Sequence, residues 1–343
     1  MAKYKIAWLP GDGIGNDVME AVKIVLEELK LDADYLPGDV GWEFWKKEGN
    51  PLPDRTIKIL KETDCCLFGA ITSKPKEEAE KELAPELKGK GYIYSSPIVR
   101  LRQEFKLHTN LRPCKAYKGN PLNYRDDIDL VVFRENTEGL YSGVEFHPLP
   151  GDLMESLLKN HPKMKRFKET PLEDIALSCR IFTRKACQSI VRQGFEYAKK
   201  FNRNSVTVIE KPNIIRETSG FQIYSVLVSS NMFGDIVSDL CAQLIGGLGF
   251  ASSANIGDNY ALFEPTHGSA PKYAGQYKVN PMAMLLTVKL MLDYLEEKEL
   301  AQRLEKAIAR VIEEGKVRTY DLGGTASTLE VAREVAKKVI SDQ

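Results

Sequence analysis

The chain reads Val226-Leu-Val-Ser-Ser-Asn-Met-Phe-Gly-Asp-Ile-Val-Ser-Asp239 in its second half. The apolar run that opens this stretch predicts a buried strand, and a helix is expected to begin near Gly234. A strand followed at once by a helix is the unit from which α/β folds are built. Within a helix, Asp235 and Asp239 are four residues apart and therefore share one face.

This pair of aspartates predicts a metal site. Two neighbouring carboxylates repel each other unless a cation lies between them. Carboxylate oxygens are hard ligands that suit Mg²⁺ or Mn²⁺, which keep positions open for water and substrate. A solvated helix face with a capping aspartate would explain the same two residues. We favour the metal site because the other motifs of the chain agree with it.

Strand-like and helix-like segments alternate along the 343 residues, which predicts an α/β fold with a largely parallel sheet. The predicted strands are Tyr4–Leu9, Asp64–Phe68, Leu130–Phe133, Ile175–Phe182, Ser205–Ile209 and Val226–Ser229. The predicted helices are Asp17–Leu31, Arg184–Phe201, Asn280–Leu295, Lys298–Glu314 and Ala326–Ile340. Because the chain is too long for one ordinary core, we expect two domains.

Composition excludes several classes of protein. The 48 basic and 48 acidic residues give a formal net charge of zero, which argues against nucleic-acid binding. The six cysteines show no CxxC spacing, which is typical of core residues in a reduced protein. Lys289 and Asp293 interrupt the most apolar stretch, so we expect no membrane span. No signal-peptide core precedes the first strand, and we expect a soluble, cytoplasmic protein.

One connection is too short for a parallel sheet. Ser205–Ile209 and Val226–Ser229 both look like buried strands, and only Glu210 to Ser225 separates them. A parallel crossover needs a dozen or more residues, usually in a well-formed helix. This connection contains Pro212 and Gly220 and shows little helical periodicity. The two strands are therefore antiparallel neighbours, or a segment is missing here.

The glycine-rich turn Leu9-Pro-Gly-Asp-Gly-Ile-Gly15 does not complete a dinucleotide fingerprint. The pattern G-x-G-x-x-G, counted from Gly11, requires a glycine where Asn16 stands. A tight strand-to-helix turn is the better explanation, although such a turn could still bring backbone close to a cofactor.

Three arginines predict a substrate with several carboxylates. Arg102 and Arg112 lie in Leu101-Arg-Gln-Glu104 and Leu111-Arg-Pro113, and Arg134 opens Arg-Glu-Asn-Thr-Glu-Gly-Leu-Tyr141. Arg134 directly follows an apolar run, where an unpaired guanidinium would be costly. Guanidinium forks bind carboxylates with two parallel hydrogen bonds. Structural salt bridges explain the three arginines equally well.

Two further polar residues stand out against common alternatives. Lys211 follows a predicted strand, where desolvation would lower its pKa and suit it to proton transfer. A surface lysine is the usual explanation for such a residue. His267, within Leu262-Phe-Glu-Pro-Thr-His-Gly-Ser-Ala-Pro271, could stack on an adenine or bind a phosphate. A hydrogen-bonded loop histidine is the more common case.

Together these motifs resemble those of the β-decarboxylating dehydrogenases, the family of isocitrate, isopropylmalate, homoisocitrate and tartrate dehydrogenases. The resemblance covers essentially the whole chain, and its specific stretches are 134–141, 231–239 and 264–275. It implies the family's two-lobed α/β fold, which is not a classical Rossmann fold. The incomplete glycine pattern agrees with this.

The resemblance also implies a division into domains. A large cofactor-binding domain would comprise 1–107 plus 246–343. A small domain, 108–245, would carry the metal site, the dimer interface and a clasp-like excursion. The polar, Pro-flanked stretch Pro148 to Pro171 suits that excursion.

Each motif residue acquires a role from the resemblance. The substrate would be held by Ser96, Arg102, Arg112 and Arg134. Tyr141 would donate a proton, and Lys211 would act in the partner subunit's active site. The metal ligands would be Asp235 and Asp239. The cofactor contacts would be Thr72, His267, Gly268, Lys272, Tyr273, Asn280 and Tyr320.

The activity implied is oxidative decarboxylation of isocitrate, a small tricarboxylate, to 2-oxoglutarate by a homodimer that shares its active sites. Homoisocitrate and 3-isopropylmalate are alternatives, because Ile98 stands where a donor is expected. NADP is preferred and NAD is possible. Lys272 and Tyr273 replace the aspartate of NAD-linked relatives, and Tyr320 adds a phosphate contact. Gly324 stands where the clamp would have an arginine.

The short connection is a departure from the family. Relatives that resemble this chain carry an additional helix–strand–helix between the equivalents of Gly220 and Tyr224. That segment supplies a third metal-ligating aspartate across the dimer interface, for which this chain has no substitute. Either the sequence omits a segment, which we favour, or the protein is a truncated and impaired variant. The latter would be a regulatory subunit that binds ligand without turnover.

Overall fold

The computed structural model describes residues 2–207, 209 and 228–341. The chain divides into two compact units, Met1–Arg134 with Asp235–Gln343, and Glu135–Gly234. The predicted large domain, 1–107 plus 246–343, lies within the first unit. Residues 108–134 and 235–245, predicted for the small domain, belong to the first unit as well. The carboxylate pair and the three arginines are therefore parts of one unit.

Three of the six predicted strands, Tyr4–Leu9, Asp64–Phe68 and Leu130–Phe133, coincide with strands of the structure, which also contains strands that were not predicted. In chain order they are β1 (Tyr4–Gly11), β2 (Ala33–Pro37), β3 (Cys65–Ala70), β4 (Thr109–Lys115), β5 (Asp129–Glu135), β6 (Glu145–Phe146), β7 (Leu177–Ser178), β8 (Val228–Ser229), β9 (Ser252–Ile256) and β10 (Ala261–Pro265). In the first unit they lie in the order β2-β1-β3-β10-β9-β4-β5.

The sheet is mixed, so the prediction of a largely parallel sheet is wrong for part of it. β1 pairs in parallel with β2 and β3, and β3 pairs in parallel with β10. β9 is antiparallel to both β10 and β4. The cause is the short turn between β9 and β10, in which the Gly257 amide donates to the Tyr260 carbonyl. A turn of this length joins only antiparallel neighbours.

The helices are α1 (Ile14–Leu29), α2 (Trp42–Glu48), α3 (Asp54–Lys61), α4 (Lys76–Lys81), α5 (Pro97–Glu104), α6 (Gly151–Asn160), α7 (Arg184–Lys200), α8 (Asn231–Leu244), α9 (Met282–Tyr294), α10 (Lys298–Glu314) and α11 (Thr328–Ser341). Helix α1 buries Val18, Val22, Val25 and Leu29, which follow the helical period. It ends at Leu29 because Lys30 takes the left-handed conformation, with φ of 55°.

Helices cover both faces of the sheet in the first unit. Ala7 and Phe68 point into a cluster that includes Leu60 of α3 and Leu101 of α5. The alternate strand residues, such as Ile6 and Leu67, are equally inaccessible to water. Strands buried on both faces read as continuous apolar runs, which explains why the sequence identified them.

The second unit, Glu135–Gly234, contains little sheet among its described residues. β6 and β7 form an antiparallel pair in which Glu145 lies opposite Ser178. The predicted strand Ile175–Phe182 is wrong except for these two residues of β7, because its partner β6 is only two residues long. Residues 205–207 and 209 lie outside regular structure, which contradicts the strand predicted at Ser205–Ile209.

Two predictions from composition can be compared with the structure. Within the described ranges, no helix is long and apolar enough to cross a membrane. All six cysteines are free thiols, and four of them are buried.

Candidate active site

Helix α8 carries the two aspartates and begins at Asn231, three residues before the predicted start. Asp235 therefore lies inside the helix, which excludes the capping-aspartate alternative. Asp235 and Asp239 do share one face, because both reach the same Arg112 Nη1, at 3.3 Å and 3.1 Å. The Asp235 side chain is 29% exposed and that of Asp239 is 59% exposed, so Asp239 is the more accessible to ligands.

Arg112 is held on several sides by the strand β4 and the helix α8. Its Nε donates to Asn110 Oδ1 at 2.6 Å, and its Nη1 donates to Ser238 Oγ at 2.7 Å. The Ser238 hydroxyl in turn donates to the Asp235 carbonyl at 2.9 Å. Its neighbours fix the guanidinium, so its position does not depend on a ligand.

Arg134 ends the apolar run of β5, as predicted, and it is paired. Its Nη1 donates to Asp235 Oδ1 at 2.5 Å, and its side chain is only 3% exposed. A buried guanidinium needs such a partner because an unpaired buried charge costs several kcal/mol. Asp235 thus receives contacts from both Arg134 and Arg112.

Arg102 joins the same network from α5. Its Nε donates to Asn255 Oδ1 at 3.0 Å, and its Nη2 donates to Glu264 Oε1 at 3.1 Å. Asn110 Nδ2 also donates to Asn255 Oδ1. Hydrogen bonds therefore run without a break from Arg102 to Arg112. We call Arg102, Arg112, Arg134, Asp235 and Asp239 the arginine–aspartate cluster.

The cation between the two carboxylates of this cluster is the Arg112 guanidinium. A metal was predicted because two neighbouring carboxylates need a positive charge between them. In the structure Arg112 supplies that charge. Within the described part of the chain, no group of three or more His, Cys, Asp and Glu side chains could hold a metal ion. Two carboxylates still supply the hard oxygen ligands that Mg²⁺ and Mn²⁺ accept, with positions left for substrate and water.

Four residues that hold the cluster together were missed by the sequence analysis: Asn110, Ser238, Asn255 and Glu264. A signal was present for one of them, because Glu264 stands in the quoted motif Leu262–Pro271. Asn110 and Asn255 are completely buried in strands, where an amide persists only if it is hydrogen-bonded.

The remaining substrate and proton-transfer residues are placed less fully. Ser96 directly precedes α5, and its carbonyl accepts from the amides of Val99 and Arg100. Tyr141 belongs to the second unit, in a short 3₁₀ turn after Gly139, and is 41% exposed. Lys211 lies outside the described residues.

Three loops of the first unit meet at the glycine-rich turn. The Asp12 carboxylate accepts from the amides of Trp42 and Thr72, at 2.7 Å and 2.8 Å. The hydroxyls of Thr72 and Ser269 are 2.7 Å apart, and the Ile14 amide donates to the Ser269 carbonyl. The predicted cofactor residue Thr72 is thereby joined to the loop that carries His267. Asp12 lies within the glycine-rich turn quoted from the sequence, but no role was predicted for it.

The glycines of this turn allow backbones to approach closely. Gly13 has φ of 55°, and a Cβ there would lie 2.1 Å from the Ser269 carbonyl oxygen. A side chain at Gly15 would meet the Pro10 carbonyl oxygen at 2.3 Å. These contacts support the interpretation as a tight strand-to-helix turn.

His267 has one ring nitrogen without a partner. Its Nδ1 lies 3.1 Å from the Gly268 carbonyl, whereas its Nε2 is buried and lacks a hydrogen-bond partner among the described residues. Burial lowers the pKa of His267, so the ring stays neutral near pH 7. With Nδ1 donating to Gly268, Nε2 is an acceptor for which the described residues supply no donor. Beside Gly268 a Cβ would meet no atom within 4 Å, so the loop has open space there.

Lys272, Tyr273 and Tyr320 lie together, and we call them the lysine–tyrosine cluster. Lys272 Nζ is 4.7 Å from the centre of the Tyr273 ring, and the two tyrosine rings are 6.1 Å apart. The hydrogen bond with Lys272, followed by that with Tyr320, lowers the pKa of Tyr273. The sequence therefore identified residues that the fold brings to one place.

Two observations bear on the prediction of a phosphate clamp at this cluster. Asp321 follows Tyr320, and its carboxylate accepts from Asn280 Nδ2 at 3.1 Å. This carboxylate, which the sequence analysis overlooked, would repel a phosphate nearby. At Gly324 a Cβ would lie 2.1 Å from the Arg318 carbonyl oxygen. The backbone therefore has no room for the missing arginine at this position.

Comparison with known proteins identifies the family. The profile of the isocitrate/isopropylmalate dehydrogenases matches residues 5–223 and 218–339, which is almost the whole chain. The chain belongs to this family. The protein is accordingly a decarboxylating dehydrogenase. Members of this family generally use a divalent metal ion and NAD(P).

The similar proteins are named after different substrates. The dehydrogenase is 38% identical to 3-isopropylmalate dehydrogenase of Methanothermobacter thermautotrophicus, over 98% of the chain and 99% of that protein. It is 36% identical to protein DlpA of Legionella pneumophila over 96% of the chain, but it spans only 58% of that protein's length. A crystal structure of isocitrate dehydrogenase from Methylococcus capsulatus matches with a TM-score of 0.82, at 33% identity, over 98% of this chain and 99% of that one.

The comparisons also bear on the short connection. The family profile matches in two stretches that meet at 218–223, where the sequence analysis finds a segment missing. The alignment with the Methanothermobacter enzyme extends over 370 residues, more than the 343 of this chain. That relative therefore has residues that this dehydrogenase lacks.

Proposed function

We propose that this dehydrogenase converts isocitrate to 2-oxoglutarate and CO₂, with Mg²⁺ or Mn²⁺ and with NADP preferred to NAD. The observation that carries the proposal is the arginine–aspartate cluster, in which three guanidinium groups and two carboxylates share one network. A multiply charged anion needs several fixed cations, and this cluster contains three.

Substrate binding would exchange partners within the cluster. Arg112 and Arg134 now contact Asp235 and Asp239. The carboxylates of a bound substrate would take over part of these contacts, and the oxygens of the two aspartates would become available. Arg102 and Ser96 would orient the remaining carboxylate. The network around Asn110 and Asn255 keeps the guanidiniums in place during this exchange.

Asp235 and Asp239 would hold the divalent cation. When bound, the cation supplies a Lewis acid that polarises the substrate's hydroxyl and stabilises developing negative charge. Asp239 is the more exposed ligand, which makes it the first of the two that an entering cation would meet.

Proton transfer is assigned to two residues outside the cluster. Lys211, in the partner subunit's active site, would help to remove the hydroxyl proton of the substrate. Tyr141 would return a proton to carbon after CO₂ has left. Its exposure of 41% in the second unit leaves the phenol accessible to a ligand.

The loops around Thr72, His267 and Gly268 would bind the cofactor, with Asn280 beside them. The free Nε2 of His267 suits the adenine, and the lysine–tyrosine cluster suits a 2′-phosphate. Bound there, the nicotinamide cofactor supplies the hydride acceptor. Because Asp321 stands close and no arginine fits at Gly324, we expect only a moderate preference for NADP.

A second candidate substrate is 3-isopropylmalate. It is favoured by the 38% identity to an enzyme of that name and by Ile98, which offers apolar surface near Ser96. Ile98 also packs against the core cluster of the first unit, so part of this surface is already covered. That is why we rank isocitrate first and keep homoisocitrate and 3-isopropylmalate as alternatives.

A homodimer is supported by the outer surface of α8. Ile236 and Leu240, one turn apart, are 60% and 64% exposed. Exposed apolar side chains on one helix face favour burial against a second copy.

The alternative of an impaired, regulatory protein rests on the missing third aspartate.

The decisive experiment measures kcat/KM for isocitrate, homoisocitrate and 3-isopropylmalate, each with Mg²⁺ and with NADP or NAD. We expect the highest value with isocitrate and NADP. A dominant activity with 3-isopropylmalate would contradict the substrate assignment. Binding of isocitrate without cofactor reduction would favour the regulatory alternative.

A further inference from the structure

A cavity of about 470 Å³ lies beside the C-terminal half of α1, away from every residue assigned to the active site. Its walls come from Trp8 of β1, from Leu26 of α1, from Leu31, and from Tyr35 and Pro37 of the edge strand β2. Pockets for small ligands typically measure roughly 300–1,000 Å³, so this cavity is within their range.

The walls of the cavity are rigid and apolar. The rings of Trp8 and Tyr35 pack edge to face, with centres 5.5 Å apart and planes at 81°. These residues face each other across neighbouring parallel strands, since Trp8 pairs with Pro37 and Ile6 pairs with Tyr35. Strand backbones hold such rings in place, so the cavity exists without a ligand. An apolar molecular body fits these walls.

The polar groups at the cavity favour a hydrogen-bond acceptor. The Tyr35 hydroxyl is buried and has no hydrogen-bond partner among the described residues. Burial raises the pKa of Tyr35, so the hydroxyl keeps its proton. A hydrogen bond from this O–H to an acceptor on a ligand would therefore stabilise the complex. Buried polar groups without a partner are rare in native proteins and call for an explanation.

The charged groups at the cavity favour an anion. Lys23 and Glu27 of α1 line it, together with Lys30, which directly follows α1. Neither lysine forms an ion pair within the part of the chain that the structure describes. Two cations and one anion leave an excess of positive charge. A negative ligand group would be attracted, most strongly at low ionic strength.

We infer that this cavity binds a small amphipathic carboxylate, whose apolar body lies against Trp8 and Leu31 and whose carboxylate lies between Lys23 and Lys30. The site is independent of the proposed function, because it shares no residue with the arginine–aspartate cluster or with the cofactor loops.

Isothermal titration calorimetry of the full chain with 4-phenylbutyrate tests the inference. The titration contains no metal, cofactor or substrate, so its result does not depend on the enzymatic proposal. We expect saturable binding with a Kd below about 1 mM, and binding about tenfold weaker for the neutral 4-phenylbutanol. Absence of saturable binding of the carboxylate would overturn the inference.

Two variants locate the binding. Lys23→Glu with Lys30→Glu should weaken 4-phenylbutyrate binding by about tenfold or more and leave the alcohol unaffected. Lys58→Glu with Lys88→Glu is the matched control, since both lysines are exposed in the same unit and the net charge changes equally. Leu31→Trp should fill the cavity and abolish binding of both compounds. Unchanged affinity in either cavity variant, or an equal loss in the control, would refute the site.

Discussion

The arginines of the arginine–aspartate cluster and the residues of the lysine–tyrosine cluster lie in the same unit, yet water reaches them to very different degrees. The side chains of Arg112 and Arg134 are 10% and 3% exposed, whereas Tyr320 is 53% exposed. Buried charges must be paired because removing one partner costs about 3–5 kcal/mol. Exposed pairs contribute about 0–1 kcal/mol.

This difference separates two kinds of binding site. Hydrogen bonds to Asn110, Ser238 and Asn255 hold the guanidiniums of Arg102 and Arg112, so their positions exist before a ligand arrives. The side chains of the exposed cluster contact one another at the protein surface, where they can rearrange around what they bind. Substitutions in the first should therefore have large effects on activity or stability, and substitutions in the second should adjust selectivity.

The largest effect is expected for Asp239→Asn. If this carboxylate holds the divalent cation, the variant should lose about 1,000-fold in Mg²⁺-dependent kcat, while its stability changes by less than about 1 kcal/mol. Steady-state kinetics over a range of Mg²⁺ concentrations will measure this. Asp34→Asn, at an exposed position of β2, is the control and should keep full activity. Near wild-type kcat and metal affinity in Asp239→Asn would show that the metal assignment is wrong.

The next largest effect concerns stability. Arg102→Met should lower the free energy of unfolding by about 3 kcal/mol, because it leaves the buried Glu264 carboxylate without its cation. Arg100→Met, on the same helix, is the matched control. Its pair with Asp54 is exposed, and its loss should cost about 1 kcal/mol or less.

Urea denaturation of the two variants sharpens the comparison between buried and exposed pairs. Equal losses in Arg102→Met and Arg100→Met would mean that burial does not set the strength of the arginine contacts, and the division between the two clusters would fail.

A smaller effect is expected at the exposed cluster. Lys272→Asp should shift the ratio of kcat/KM for NADP and NAD by about tenfold towards NAD, because a cation near the 2′-phosphate is replaced by an anion. Stability should not change measurably, since the group is exposed. Lys58→Asp, exposed on α3, controls for the change in net charge. A preference for NAD in the unmutated protein would already contradict the assignment.

The smallest effect is a pH dependence at His267. Burial lowers its pKa below the value of 6.5 that it has when unfolded. The neutral ring therefore stabilises the fold above pH 6.5, and this contribution is lost as the pH falls through the lowered pKa. The free energy of unfolding should drop less between pH 7 and pH 5 in His267→Asn than in the wild type. His161→Asn, at an exposed site, should behave like the wild type, and identical slopes in all three would exclude a role for His267.

The sequence predicted a helix correctly where the spacing of its apolar residues and the residue that ends it agree. Helix α10 forms at Lys298–Glu314 as predicted, because Ala301, Leu304 and Ile308 are buried at helical spacing and Gly315 ends it with φ of 61°. The prediction was wrong at Ile175–Phe182, where the apolar pattern suggested a strand but only a two-residue partner exists. A strand needs a neighbour, and a single segment of sequence does not reveal one.

The sequence by itself determined the family, through its long motifs, and the residues that carry charge. It also placed Asp235 and Asp239 on one helix face, since that follows from the helical repeat alone. Only the tertiary structure decided which charges meet. Arg134 and Asp235 are 101 residues apart, and Arg102 and Glu264 are 162 apart. Arg134 lies on β5 and Asp235 on α8, whereas Arg102 lies on α5 and Glu264 on β10, and only the packing of the whole unit, not any local pattern, brings these elements together.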